Sequence, residues 1–295
     1  MSRCEQNMGN IKLPDRNRYE LYLSKEAPAK SGVAYFHIHK SELQEIERQT
    51  GDEELIGYIH SAQLGSTVDG PGLRLVTFLT GCLLRCSYCH NPDTWHMKNG
   101  RPFSVAHAMR VVRKYVDVLK LSKGGITLSG GEPMVQAAFT TRIFRRCKEL
   151  GVHTCLDTSG RMGERLTDEQ LMDIDLNLLD IKSGDPEVYY RLTGAPLQPT
   201  LDYALRLSKL GRPMWVRYVL VPDLTDGYDN VERIADICAG LKNLERVEIL
   251  RFHQLGRSKW EKLGIHYSLR NTQPPSAELT ERVREQFRRR GITVY

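Results

Sequence analysis

The chain is poor in cysteine, and its seven cysteines are unevenly spread. Cys4, Cys147, Cys155 and Cys238 stand apart, with none of the paired spacing that frames a disulfide scaffold. The chain has no run of about 18 apolar residues, which argues against a membrane-spanning helix. Its first residues, "MSRCEQNMGN", lack the charged-then-apolar layout of a secretory leader. These absences predict a cytoplasmic protein in a reducing compartment, away from the membrane. Also missing are a zinc-finger spacing, a helix-turn-helix and the aromatic signature of RNA-binding domains, so nucleic acid is not an expected partner. Internal repeats and low-complexity tracts are absent too, and a monomer is expected for the chain on its own.

What is present suits one large core, since 295 residues with 40% hydrophobic and 26% charged side chains is an ordinary globular composition. Net charge is +6, yet residues 1–54 hold 8 basic and 10 acidic side chains, so the remainder carries +8. An excess of that sign suits an acidic protein partner or an anionic cofactor. From about residue 54, short β-rich runs alternate with helical patterns: "LRLVTFLT", "GITLSGGEP", "VHTCLDTSG", "LNLLDIKSG", "PMWVRYVLVP", "ERVEILRF" and a final "GITVY". Between them, Val105, Ala108, Met109, Val112, Tyr115, Val116 and Leu119 share one helical face behind a Ser104 cap, and helices are expected near 229–241 and 277–290. The alternation predicts an α/β fold with a parallel sheet and outer helices, read as an open, partial (β/α) barrel. A doubly wound sheet is the alternative, but no post-strand glycines spell a dinucleotide fingerprint. Residues 1–53 read as a small β–α extension, with a strand over "SGVAYFHIHK" and a capping box at Ser41 and Gln44. His37 and His39 share a face of that strand and are read as solvated; residues 54–295 are the core domain.

Cys82, Cys86 and Cys89 fall within the fifteen residues of "GCLLRCSYCHNPDTW", on a loop just after a strand. A structural zinc site is closed by four protein ligands. Each iron of a cubane wants one thiolate, so three cysteines leave one iron for an outside ligand. His90 is a fourth donor in principle, but its position directly beside Cys89 gives poor geometry. The spacing favours an iron–sulfur cluster over zinc.

CxxxCxxC after the first strand of a partial barrel resembles the signature of the radical S-adenosylmethionine superfamily. The longer string is similar to the activating enzymes of glycyl radical enzymes, of the pyruvate formate-lyase type. The similarity runs from about Gly57 to the C-terminus through "STVDGPGLR", "SGGEP", "CLDTSG", "LLDIK", "WVRYVLVP" and "FHQLGRSKW", in the family's order. It implies a (β/α)6-type partial barrel, one [4Fe-4S] cluster on the three cysteines, and S-adenosyl-L-methionine on the open iron. It also implies an oxidoreductase in which reductive cleavage of that cofactor yields a radical that abstracts hydrogen from a glycine Cα of a partner enzyme.

The resemblance carries further residues over. Gly130 and Gly131 of "SGGE" allow backbone to approach the methionyl amino group, with Glu132 as the charged member. Asp180 and Lys182 of "LLDIK", on one face of a strand end, match contacts to the cofactor's ribose and carboxylate. His253 matches a ribose-side histidine, although Arg251-Phe252 precedes it where the family usually has Pro-Tyr. Tyr88, His90 and Asn91 are expected beside the adenine. Asp157 and Thr158 match a pair that helps bind a monovalent cation, and Asp69 and Arg74 flank the glycyl-radical peptide of the partner. Read alone, each has a plainer explanation: a turn, a surface ion pair, a helix cap. The expected partners are a glycyl radical enzyme, foremost pyruvate formate-lyase, and a flavodoxin or ferredoxin electron donor. Two alternatives stand: an activase of another glycyl radical enzyme (anaerobic ribonucleotide reductase included) or a small-molecule radical enzyme; and a non-enzymatic zinc or electron-carrier module.

Overall fold

In the computed structural model, which describes residues 40–295, one eight-stranded sheet carries the fold. The strands are β1 (Ile56–Ser66), β2 (Arg74–Leu79), β3 (Arg101–Ser104), β4 (Gly125–Gly130), β5 (His153–Thr158), β6 (Leu176–Asp180), β7 (Met214–Leu220) and β8 (Leu244–Arg251). Their spatial order is β3-β1-β2-β4-β5-β6-β7-β8. β2 and β4 to β8 pair in parallel, giving the six parallel strands of the expected barrel. β1 runs antiparallel to β2 and β3. The sheet is not closed: β3 lies at one edge and β8 at the other.

Val76, Ile126, Leu128, Leu156, Leu178 and Val216 are at most 2% exposed, as expected of parallel strands covered by helices on the outside. The helix Ala137–Glu149 buries Phe139, Ile143, Phe144 and Cys147 along one stripe. The helices expected near 229–241 and 277–290 span Tyr228–Ala239 and Ala277–Arg288. Ser104 caps its helix as expected, accepting from His107 N at 3.1 Å. That helix breaks in two, Val105–Arg113 and Val116–Leu121, where Lys114 N and Tyr115 N tighten to bonds three residues back. Its buried stripe of Val105, Met109, Val112 and Leu119 continues across the break.

The final "GITVY" forms a single bridge rather than a full strand. Val294 pairs in parallel with Val247, and the amides of Val247, Ile249 and Tyr295 close the bonds at 2.9–3.0 Å. Ser41 lies within the helix Lys40–Gln49, not at its cap. Asp52 then ties this segment to the helix behind β4, through Arg142 and Arg146 at 2.7 Å each. The expected strand over residues 31–40, with His37 and His39, lies outside the described residues except for Lys40, which begins the helix.

Candidate functional site at the C-terminal ends of the strands

The cysteine loop leaves β2 through Gly81, whose φ of +94° and contacts leave no room for a side chain: a Cβ there would lie 2.6 Å from Met97 Sδ. Main-chain bonds fix the loop. Gly81 N donates to Thr94 O at 2.8 Å and Cys82 N to Trp95 O at 3.0 Å. Arg85 N and Ser87 N donate to Thr193 O and Leu192 O at 2.8 and 3.0 Å. The Trp260 indole donates to Cys89 O at 2.8 Å. None of these bonds uses a thiol.

All three cysteines are free and pack into an apolar wall that includes Leu84, Tyr88, Trp95, Phe252 and Trp260. Burial pushes each thiol up, Cys89 to about 12, and the neighbouring cysteines add to the rise at Cys82 and Cys89. Lys182 opposes it at Cys86. As bare thiols all three keep their protons at neutral pH, so a metal centre must displace them. Among the described residues, no three His, Cys, Asp or Glu side chains converge on one point as a single metal ion requires. Three thiols on one loop can each hold a separate corner iron of a cluster. Tyr88 Oη is buried here with no hydrogen-bond partner among the described residues, so this wall holds a polar atom with capacity to spare. The residues present fit an iron–sulfur centre better than zinc.

The other predicted residues gather on the same side, because each follows or ends a parallel strand. Glu132 N donates to Gly81 O at 2.7 Å, joining the "SGGE" turn to the cysteine loop. Gly130 has φ +110°, and a Cβ on Gly131 would meet Gly81 O at 2.3 Å, so both positions need glycine. Glu132 sits inside the turn. It is 2% exposed, and its two oxygens accept from Met134 N, Thr158 Oγ1, Ser159 N and Ser159 Oγ. It braces the turn from within and offers no unengaged oxygen to an ammonium.

Thr158 belongs to the same hydrogen-bond set. Its hydroxyl donates to Glu132 at 2.7 Å and accepts from Gly160 N at 3.0 Å. Adjacent strand residues point to opposite faces, so Asp157 looks the other way. There Ser129 Oγ donates to its Oδ2 at 2.6 Å, and Arg217 Nη1 lies 3.4 Å from its Oδ1. Burial raises the Asp157 carboxyl to about 6 even beside that arginine.

Lys182 donates to Asp180 at 2.8 Å and sits 5.7 Å from the centre of the Tyr88 ring, linking "LLDIK" to the cysteine loop. Burial works against its charge, yet Asp180 and the Tyr88 and Cys86 groups hold its pKa above the usual range. The His90 and His253 rings stack, centroids 4.3 Å apart and 30° between planes. Gly256 permits that approach, since a Cβ there would stand 2.9 Å from His90 Cα. The Asn91 side chain is taken up by Lys259, whose Nζ donates to it at 2.8 Å and also meets Asp93 at 3.0 Å.

Arg74, read as a partner contact, points inward and is fully buried. It donates to Thr127 Oγ1 at 3.0 Å, to Ile126 O and to Pro71 O, and meets His153 Nδ1 at 3.1 Å. Thr127 Oγ1 in turn donates to Asp69 O. Arg74 therefore shapes the loop over 66–73 from beneath. Val68 of that loop is 72% exposed.

Sequence reasoning missed Arg217. It is 7% exposed, and the strand register sets it beside Asp180 on β6 and Glu248 on β8. It donates to Glu248 at 3.2 Å and to Val68 O, and lies 3.8 Å from Asp69. Burial opposes its charge, but Asp157, Asp180, Glu248 and Asp69 together raise its pKa above the usual value. The available signal was an arginine inside the otherwise apolar "MWVRYVLV", because a buried charge needs partners.

Residues 68–184 match a family described as a 4Fe-4S single cluster domain. The chain is 42% identical over 232 residues to the pyruvate formate-lyase 1-activating enzyme of Escherichia coli (strain K12), covering 78% of this chain and 94% of that one. It is 43% identical over 241 residues to the pyruvate formate-lyase-activating enzyme of Staphylococcus epidermidis, with coverage of 79% and 95%. Among solved structures, a radical SAM methyltransferase from Sphaerobacter thermophilus shares the fold at a TM-score of 0.56 and 18% identity, over 90% of this chain and 84% of that one. No helix among the described residues is long and apolar enough to cross a membrane. With its cysteine loop at the head of a six-stranded open barrel and identity of this extent, the chain belongs to the pyruvate formate-lyase-activating enzymes of the radical S-adenosylmethionine superfamily.

Proposed function

We propose that this protein activates a pyruvate formate-lyase by creating a radical on one of its glycines. The observation that carries the reading is the set of three free thiols, Cys82, Cys86 and Cys89, packed together on one loop after a parallel strand. When bound there, a [4Fe-4S] cluster supplies one electron and an open iron position for S-adenosylmethionine. The chain's own residues bind and orient. Gly130 and Gly131 let main chain approach the cofactor's amino group, and Lys182, kept protonated by Asp180, faces its carboxylate. The stacked His90 and His253 offer a flat surface on the nucleoside side, with Tyr88 and Asn91 completing that wall. Asp157, with an oxygen toward Arg217, is the side-chain candidate for a monovalent cation; Thr158 would contribute through its main chain. The apolar wall around Cys82, Cys86 and Cys89 keeps water from the reacting atoms.

The partner's glycine would approach along the loop carrying Val68 and Asp69. A basic core charged +8 over residues 55–295 favours an acidic flavodoxin or ferredoxin as electron donor. Six described cysteines, all free, agree with a reducing cytoplasm. Residues 54–295 are the proposed catalytic core, acting as a monomer. The test is to reconstitute the protein anaerobically with iron and sulfide, reduce it, and add S-adenosylmethionine and pyruvate formate-lyase. A glycyl radical signal in the electron paramagnetic resonance spectrum is expected; cofactor cleavage without that signal would exclude this partner.

A further inference from the structure

The register of β7 on β8 sets two side-chain pairs next to each other on one face: Trp215 beside Arg246, and Arg217 beside Glu248. Arg246 is held between two aromatic rings, its guanidinium carbon 3.2 Å from the centre of Trp215 and 4.9 Å from that of Tyr295. Trp215 is itself oriented by its indole N–H, which donates to Glu245 at 2.7 Å. Tyr295 is the last residue, fastened to β8 by the main-chain bonds at Val247 and Ile249. So fixed, Arg246 donates to Glu248 Oε1, while Glu248 Oε2 accepts from Arg217 Nε at 3.2 Å. Arg246 Nε is buried without a hydrogen-bond partner among the described residues, where Glu248 and the two rings locate this side chain.

The consequence lies at the other end of Arg217. A planar guanidinium held at Nε can no longer rotate, so its two terminal nitrogens have fixed directions. One faces Asp157 and Asp69, at 3.4 and 3.8 Å, and the other donates to Val68 O. Without Glu248 the guanidinium loses its hold at Nε, and the bond to Val68 O that ties down the loop loosens.

We propose that Glu248 is a positioning residue: held by Arg246 and the C-terminal Tyr295, it fixes Arg217 so that the loop over 66–73 is set for the partner's peptide. The role in peptide binding rests on the function proposed above, whereas the effect on the loop does not. The experiment compares Glu248→Gln, Tyr295→Phe and Tyr295→Ala with the wild-type holoenzyme. Hydrogen exchange of the amides over 66–73 is read first, then KM for a glycine-containing peptide of pyruvate formate-lyase and the peptide-free cleavage of S-adenosylmethionine. Glu248→Gln should speed exchange in that loop roughly tenfold, the scale of one lost charge-assisted hydrogen bond. It should raise the peptide KM by a similar factor and leave peptide-free cleavage near wild type. Tyr295→Phe should behave as wild type, and Tyr295→Ala should move the same way as Glu248→Gln but by less. Unchanged loop exchange in Glu248→Gln overturns the proposal. So does a fall in peptide-free cleavage that matches the loss with peptide, since that would mark general damage. A wild-type enzyme that makes no radical on the peptide overturns the partner assignment instead, and loop exchange still decides the role of Glu248.

Discussion

The two halves of the open barrel hold their working groups by different means. On the β2–β4 side the cysteine loop is fixed by main-chain bonds to Thr94, Trp95, Leu192 and Thr193, and by glycines that admit close backbone approach. On the β6–β8 side the groups are fixed by charge: Asp157, Asp180, Glu248 and Asp69 surround Arg217. A site fixed by main chain can lose a side chain and keep its shape. A site fixed by paired buried charges cannot, because removing one member strands the others.

Substitutions at three places in the fold sharpen that contrast. The largest functional effect is expected from Cys82→Ala, Cys86→Ala or Cys89→Ala, each of which should abolish cofactor cleavage and the iron–sulfur absorbance while barely moving the unfolding midpoint. Retained cleavage in any of the three would refute the ligand assignment. Arg217→Met should cost about 3–5 kcal/mol in urea unfolding, because buried carboxylates lose their shared cation. A loss below about 1 kcal/mol, the scale of an exposed ion pair, would mean that water already screens the cluster.

The smallest effect is expected at the N-terminal end of the barrel, in Asp175→Asn. Burial pushes the Asp175 carboxyl up, but hydrogen bonds from Lys148 and from Thr154 N, the latter at 2.9 Å, hold it below 3.8. A carboxyl depressed on folding adds stability that is present above its unfolded pKa and lost as pH falls through its folded one. The substitution should therefore cost roughly 1–2 kcal/mol at neutral pH. The cost should shrink as pH falls below about 4. An equal cost at both pH values would show that packing, not charge, is at stake.

The same contrast explains what could be read from the sequence. The cysteine loop, "SGGE" and "LLDIK" are contiguous strings, so their chemistry was legible, and alternating strands and helices gave the barrel. The charged floor is assembled from residues 69, 157, 180, 217 and 248, which meet only through the tertiary fold. No local window contains it. For a related reason the strings do not reveal that Glu132 and Thr158 are each other's partner across a turn. Arg74 looked like a surface cation because the strand start alone does not reveal that Thr127 and His153 wait beneath it.

The main-chain anchoring of the cysteine loop bears on life with oxygen. The main chain of Cys82 and Cys89 is anchored by bonds to Trp95 O and from the Trp260 indole, neither of which depends on a bound cluster, so loss of an iron–sulfur centre to air spares those anchors. Repair then needs only fresh iron and sulfide on the existing polypeptide, not a newly made chain. For an enzyme that works in the absence of air, the lasting investment is the peptide scaffold, and the metal is a replaceable part.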